Sequence, residues 1–376
     1  MRKKLCKYQF FTLLLGVLFW MMPLAVRAEE PADGGDKSNG FIFNEDGYDP
    51  ANPDAYPLKL PSEETVYTAG GGQIIWTPET DSAGNVVSGR LTLRDAVIQN
   101  TYSGATFENY GSGIWMCVPF ELVLEGENRI TSQGRGIFLT DSNNSGTRTL
   151  NVRGTGSLTI DSQMEGIRTD GAVTLDAVNL TVTYGFASGI ITEYGDIVIQ
   201  NGSRVTLKNS AGITVSSAAV RTNNIGDVSI RNSHVIAVNS AGTAISANGN
   251  VLFESSQVRA LGSAGYEGMI TFGNGKNFTV NGGSLYVKNN QTPGYDIYPD
   301  PNSVKWENSA VIYCGGPYNY LIQKGDNIQY ADCVYDEASD QITSVGNGNV
   351  YGNVVWNEHI VVFQIKRAFD LQIIFF

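Results

Sequence analysis

Pairs of apolar residues two positions apart, each followed by a polar turn and a second such pair, recur along this chain every two dozen residues or so. The cleanest copies lie between Ala172 and Ser210. Val173-Thr-Leu175 and Leu180-Thr-Val182 form one unit, and Ile197-Val-Ile199 and Val205-Thr-Leu207 form the next, with Ser188-Gly-Ile190 between them. Period-two alternation predicts strands with one buried face. A repeat of this length predicts stacked coils that bury a continuous core only by covering one another.

The first pair of each unit begins at Leu91, Leu122, Leu150, Val173, Ile197, Val228, Val251 and Phe278, and the second at Ile98, Ile130, Leu158, Leu180, Val205, Val235, Val258 and Leu285. A third element is marked by Ile114, Ile137, Ile167, Ile190, Ile213, Ile245 and Ile270. In five of these Gly precedes Ile (Gly113, Gly136, Gly166, Gly189 and Gly212), which predicts a bend with φ > 0 before an inward side chain. Three short strands per turn over about eight turns predict an all-β parallel β-helix. A sandwich of hairpins would need Asn-Gly or Asp-Gly turns throughout. Asn201-Gly202 is one, but Asp95-Ala96, Asp176-Ala177 and Ser255-Ser256 are not.

The turn inside each unit keeps its length, so it is structural. Insertions fall at the other junctions: Asn100 to Ser112, Thr140 to Thr149, Ser216 to Asp227 and, mildly, Gly262 to Glu267. Loops of one junction class stack along one flank of a solenoid, where recognition is built.

These periodicities divide the chain into residues 1–28, 29–64, 65–290 and 291–376. Residues 1–28 carry Arg2, Lys3, Lys4 and Lys7, an apolar run from Phe10 to Met22, and Val26-Arg-Ala28 ahead of Glu29, the three-part form of a secretory signal peptide. Residues 29–64 are a Pro-, Gly- and Asp-rich linker followed by a docking segment whose apolar groups are Phe41, Phe43, Tyr48, Tyr56 and Leu58. Asn44-Glu-Asp-Gly47 lacks the ligand spacing of a calcium loop and reads as a solvated turn. Residues 65–290 are the β-helix. Residues 291–376 are a C-terminal cap over the last open edge. The final stretch from Ile360 to Phe376 reads three ways: a strand completing the cap, a membrane-associated tail interrupted by Lys366, Arg367 and Asp370, or a truncated coding end.

Export places the chain outside the cell, secreted or at the surface, with no membrane segment in its mature form. Without residues 1–28 it holds 20 Lys+Arg against 37 Asp+Glu, a formal charge of −17. Such a surface repels nucleic acid. Cys117, Cys314 and Cys333 remain; the last two could pair, Cys117 reads as a small buried apolar residue, and none has metal-ligand spacing. His234 and His359 are the only histidines, too few for a Ser/His/Asp set or a zinc site, and no phosphate loop is present. No cofactor and no metal is expected.

Two kinds of carbohydrate chemistry stay open. Glycoside hydrolysis needs only two carboxylates, and Asp161, Asp170, Asp176, Glu193, Asp196 and Asp227 fall near strand ends on successive coils. Asp176 stands in register with Gln200 and Arg231, one and two coils on. Asp and Asn at such places are also ordinary turn residues. Binding needs aromatic faces: Tyr102, Phe107 and Tyr110 lie in the first long insertion with Trp115 beside Ile114, and Tyr184 and Phe186 occupy the same junction of a later coil. No catalytic residue is assigned.

The Gly-Ile element followed by Phe120-Glu-Leu-Val-Leu-Glu-Gly-Glu-Asn-Arg-Ile-Thr131 resembles repeats of secreted bacterial proteins described as carbohydrate-binding domain-containing, which belong with the pectin-lyase-like right-handed β-helices. Ser88-Gly-Arg-Leu-Thr-Leu-Arg-Asp-Ala-Val-Ile98 resembles their first coil. The resemblance covers roughly Thr65 to Asn290. It implies a right-handed coil, a surface location and glycan binding, and it carries over no catalytic residue. Asn347 to Glu358 resembles the lead into further repeats ahead of a cell-wall anchor, a continuation this sequence lacks. The leading expectation is an exported, non-catalytic surface protein that binds polysaccharide or host glycan as an adhesin. A lyase or hydrolase working through flank carboxylates and a structural stalk are the alternatives.

Overall fold

A computed structural model describes residues 41–44, 58–101, 111–140, 146–186, 188–209, 218–264, 268–290, 297–298, 303–308, 311–314, 333–336, 338–344, 350–356, 359–365 and 371–375. Residues 1–40, Tyr102, Phe107, Tyr110, and Gly212 with Ile213 lie outside them.

The described chain is a parallel β-helix with no α-helix, so none of these residues forms a helix long and apolar enough to cross a membrane. Three parallel ladders run its length. The first stacks Phe120–Glu125, Leu150–Gly154, Val173–Asp176, Ile197–Gln200 and Val228–Arg231, and continues through residues 251–254 and 278–281. The second stacks Val97–Asn100, Glu127–Ser132, Ser157–Ser162, Asn179–Tyr184, Arg204–Asn209 and His234–Asn239, then residues 257–262 and 284–289. The third stacks Ile114–Met116, Ile137–Leu139, Ile167–Thr169, Ile190–Thr192, Ala218–Thr222, Thr243–Ser246 and Ile270–Thr271. All three run on past Asn290, at Val304–Glu307, Val311–Cys314 and Ile297–Tyr298. Alternate residues from rungs between Leu91 and Val304 meet in one core.

The bend between first and second ladders is the constant turn, and every coil places at least one residue of positive φ there. Asp95, Gly126, Ala177, Asn201, Asn232, Ser255, Gly282 and Asn308 supply it with φ between 46° and 69°, Gly154 supplies it at 125°, and Gly202 and Gly283 add a second in their coils. Asn, Asp and Gly tolerate that region, which explains the polar character of the turn.

Three details of the pattern resolve differently from expectation. Leu91 and Leu122 align with Val152 and Leu175, so Phe120 is the partner of Leu150. Likewise Ile130 aligns with Ile160, and the slot of Leu158 is filled one coil earlier by Asn128. Asn128 is buried because its side chain accepts from the Ala96 amide at 2.9 Å and donates to the Glu125 and Ser157 carbonyls, and so it is invisible to a search for apolar pairs. The third-ladder rung assigned to Ile213 is made by Val220, which pairs with Ile190 and Ile245.

The glycines before the marker isoleucines do not adopt positive φ. Gly113, Gly136, Gly166 and Gly189 are there because the second ladder occupies the space a Cβ would need. A methyl on Gly136 would collide with Ile160, and one on Gly166 with Val182, each also lying 2.5 Å from the carbonyl oxygen of the next glycine up the column. Where the second-ladder column shrinks to Ala237 and Ala260, the glycine column becomes Ala219 and Ala244, all fully buried. Facing positions exchange volume, as a dense core requires.

Further elements flank the stack. An antiparallel meander of Thr65–Ala69, Gly72–Thr80 and Val86–Arg94 leads into the first ladder, with the fully buried Trp76 at its centre. Phe41–Asn44 pairs in parallel with Ile114–Met116 and adds a rung ahead of the third ladder, and Leu58–Lys59 adds another. Beyond the stack, the antiparallel hairpin Cys333–Asp336 and Gln341–Ser344 lies against the outside of the second ladder, where Tyr335 packs on Tyr286 and Leu261. Val350–Trp356, His359–Ile365 and Leu371–Phe375 form a separate antiparallel sheet.

Candidate functional site

The residue after each marker isoleucine points away from the core, so these residues form a column up the outside of the third ladder. In order it reads Trp115, Phe138, Arg168, Ile191, Arg221, Ser246 and Thr271. The lower part is aromatic. The Trp115 and Phe138 ring centroids are 5.6 Å apart with the planes tilted by 36°. Phe138 is nearly buried, Trp115 half-buried, and the Arg135 guanidinium carbon sits 4.4 Å from the Phe138 ring centre.

Beside the rings, a chain of alternating charges climbs across four coils. Arg135 Nε is 3.0 Å from Glu165 Oε2, and Glu165 Oε1 accepts from Arg168 Nη1 at 2.8 Å. Arg168 Nη2 is 2.8 Å from Glu193 Oε1, and the other oxygen of Glu193 accepts from Asn223 Nδ2 at 2.7 Å. Arg135 and Glu165 are buried whereas Arg168 is a third exposed, so the chain starts inside and surfaces next to the aromatic pair. An aromatic face beside fixed hydrogen-bonding groups suits a ring whose faces are apolar and whose rim carries hydroxyls.

The sequence-predicted aromatics separate by environment. Trp115 is on this face. Phe186 is 40 % exposed at the junction between second and third ladders. Tyr184 points inward and is completely buried, in the column held on later coils by Asn209 and Asn239, and its hydroxyl donates to the Val238 carbonyl at 3.2 Å. Burial drives its pKa far above that of a free phenol. It fills the slot because alternation along Asn179–Tyr184 fixes its direction, and it offers no ring face to solvent.

Four of the carboxylates named as hydrolytic candidates, Asp176, Glu193, Asp196 and Asp227, are built into the scaffold. Asp196 Oδ1 accepts from the Asp227 amide at 2.8 Å, and Asp227 Oδ1 accepts from the Asn250 amide at 2.7 Å. Asp176 accepts from Asn201 Nδ2 at 2.7 Å and stands in register with Gln200. Glu193 belongs to the charge chain, Asp170 is buried, and Asp161 is half-exposed in register with Thr131 and Thr183. Among the described residues no group of three or more His, Cys, Asp or Glu could hold a metal ion, and Cys117 is buried.

Phe138, Arg135, Glu165 and Arg168 are the residues that sequence reasoning passed over. Only Phe138 had a signal: the position after the marker isoleucine holds Trp, Phe, Arg and Ile on successive coils, too large and varied for an inert outer face. No family model matches the chain, and no curated protein or solved structure matches it.

Proposed function

We propose that this chain is an exported, non-catalytic β-helix of the pectin-lyase-like kind that binds carbohydrate through the outer face of its third ladder, as a surface adhesin. Trp115, tilted against Phe138 beside Arg168, is the observation that carries the reading. The insertion holding Tyr102, Phe107 and Tyr110, which lies outside the described residues and precedes Trp115 in sequence, is assigned to the same site, with Phe186 at its margin. Engagement of Asp176, Glu193, Asp196 and Asp227 in fixed hydrogen bonds favours binding over hydrolysis or elimination, because a carboxylate already committed to neighbouring amides is poorly placed to move a proton.

The test is a polysaccharide and glycan panel read both for binding and for products. Binding to at least one member is expected, weakened about tenfold by Trp115→Ala through loss of a stacking face, largely kept by Trp115→Phe, and untouched by Tyr184→Phe. Wild-type affinity in Trp115→Ala overturns the site. Absence of any binder points to a stalk, and new reducing ends or unsaturated products restore the enzyme reading.

A further inference from the structure

On its lower coils the outward column of the second ladder is polar: Arg129, Thr159, Thr181 and Thr206. It then changes to Ile236, Arg259 and Tyr286. An outward Tyr at 1 % exposure and an outward Arg at 5 % require a cover, and the hairpin of residues 333–344 is that cover. The Tyr335 ring lies 5.3 Å from the Tyr286 ring, Ile342 packs on the same cluster, and Arg259 faces the Tyr335 ring at 5.9 Å.

One carboxylate closes the contact. The turn at residues 338–340 brings Asp340 over the ladder, where Oδ2 is 3.0 Å from His234 Nε2 and Oδ1 is 3.5 Å from Arg259 Nε. The charged groups around His234 are therefore Asp340 from the hairpin, Arg259 from the coil above and Arg204 from the coil below. The hairpin's other acid, Asp336, is turned into its own loop, accepting from Ser339 Oγ at 2.6 Å and the Ala338 amide at 3.0 Å.

We propose that the 333–344 hairpin is an acid-released strap, latched by Asp340 on His234 and Arg259, whose release uncovers an apolar face of Ile236, Leu261 and Tyr286. A small cover held by two stacked tyrosines, one isoleucine and one shared carboxylate is marginal by construction. Its polar half depends on the protonation of His234. Burial beneath the strap, with Arg259 and Arg204 nearby, outweighs the pull of Asp340 and holds His234 below the ordinary imidazole value. The free form of His234 therefore takes a proton more readily than the covered form. Above pH of about 6.5 His234 is neutral in both forms and the strap is fully favoured; as pH falls below that, protonation selects the open form.

Amide hydrogen exchange on the full chain, corrected for the intrinsic pH dependence of exchange, tests this. Protection of residues 333–344 is expected to fall between pH 7.5 and 5.5, by up to about tenfold per pH unit, while residues 157–162 stay unchanged. In His234→Gln the step should vanish, and in Asp340→Asn protection should be low at both pH values. Equal wild-type protection at the two pH values, or an undiminished step in His234→Gln, overturns the proposal.

Discussion

Arg135 and Glu165 meet at 3.0 Å across two neighbouring coils, with only 7 % and 3 % of their side chains exposed. Removing one partner strands the other charge in a site removed from solvent. Glu165→Gln is expected to lower stability by roughly 3 kcal/mol, read as a shift in urea midpoint. Replacing the pair together, Arg135→Met with Glu165→Leu, should recover most of the loss, because the cost lies in the orphaned charge.

Gly166 is fixed by the volume of Val182. Gly166→Ala should destabilise by about 1–3 kcal/mol through overpacking, and Val182→Ala alone by a similar amount through a cavity. The double variant should be less damaged than the sum, but not fully restored, since the added methyl still meets the Gly189 carbonyl. A strictly additive result in thermal melts would show that the two positions do not share space.

Glu121 ties the entry meander to the stack, accepting from Arg90 Nε at 2.7 Å and from the Arg153 guanidinium one coil on. The Arg153 hydrogen bond, with Arg90 adding to it, lowers the Glu121 pKa below the usual carboxylate value. A carboxylate depressed in the folded state contributes stability that is full above its unfolded pKa of about 4.3 and disappears as pH falls through the folded value. The difference between wild type and Glu121→Gln should therefore be under about 1 kcal/mol at pH 7, because the site is part-exposed and screened, and should vanish as acid takes the pH below the folded value. A difference that persists in acid would mean that shape, not charge, is what Glu121 contributes.

The scaffold was legible because alternation and repeat length are direct images of stacked strands. What escaped was where polar chemistry took an apolar slot or the reverse. Asn128 sits in a core position as a hydrogen-bonded plug, so apolar counting shifted the register of the first coils by two residues. Gly212-Ile213 imitates Gly189-Ile190, and nothing local distinguishes it from Ala219-Val220; the ladder does, through the pairing of Val220 with both neighbours. Tyr184 was read as a surface aromatic because it follows the last obvious strand residue, although strict alternation from Leu180 and Val182 already turned it inward. The charge chain from Arg135 to Asn223 could not be read from sequence, since its members are 3 to 30 residues apart and meet only through the coil spacing.

The corners of the coil have a direction. Entering the first ladder, Asp196, Asp227 and Asn250 each accept from the backbone of the coil that follows. At the bend into the second ladder the arrow reverses: the amides of Ala96, Val178 and Ser233 donate forward to Asn128, Ser203 and Ser256. A cut at either end thus leaves backbone donors without acceptors, on one corner or the other. Interior coils such as those carrying Asp196 and Asp227 each accept from the coil that follows and donate to a neighbour on the other side. A terminal coil has a neighbour on one side alone, so the two ends of the stack can never be mere copies of the interior.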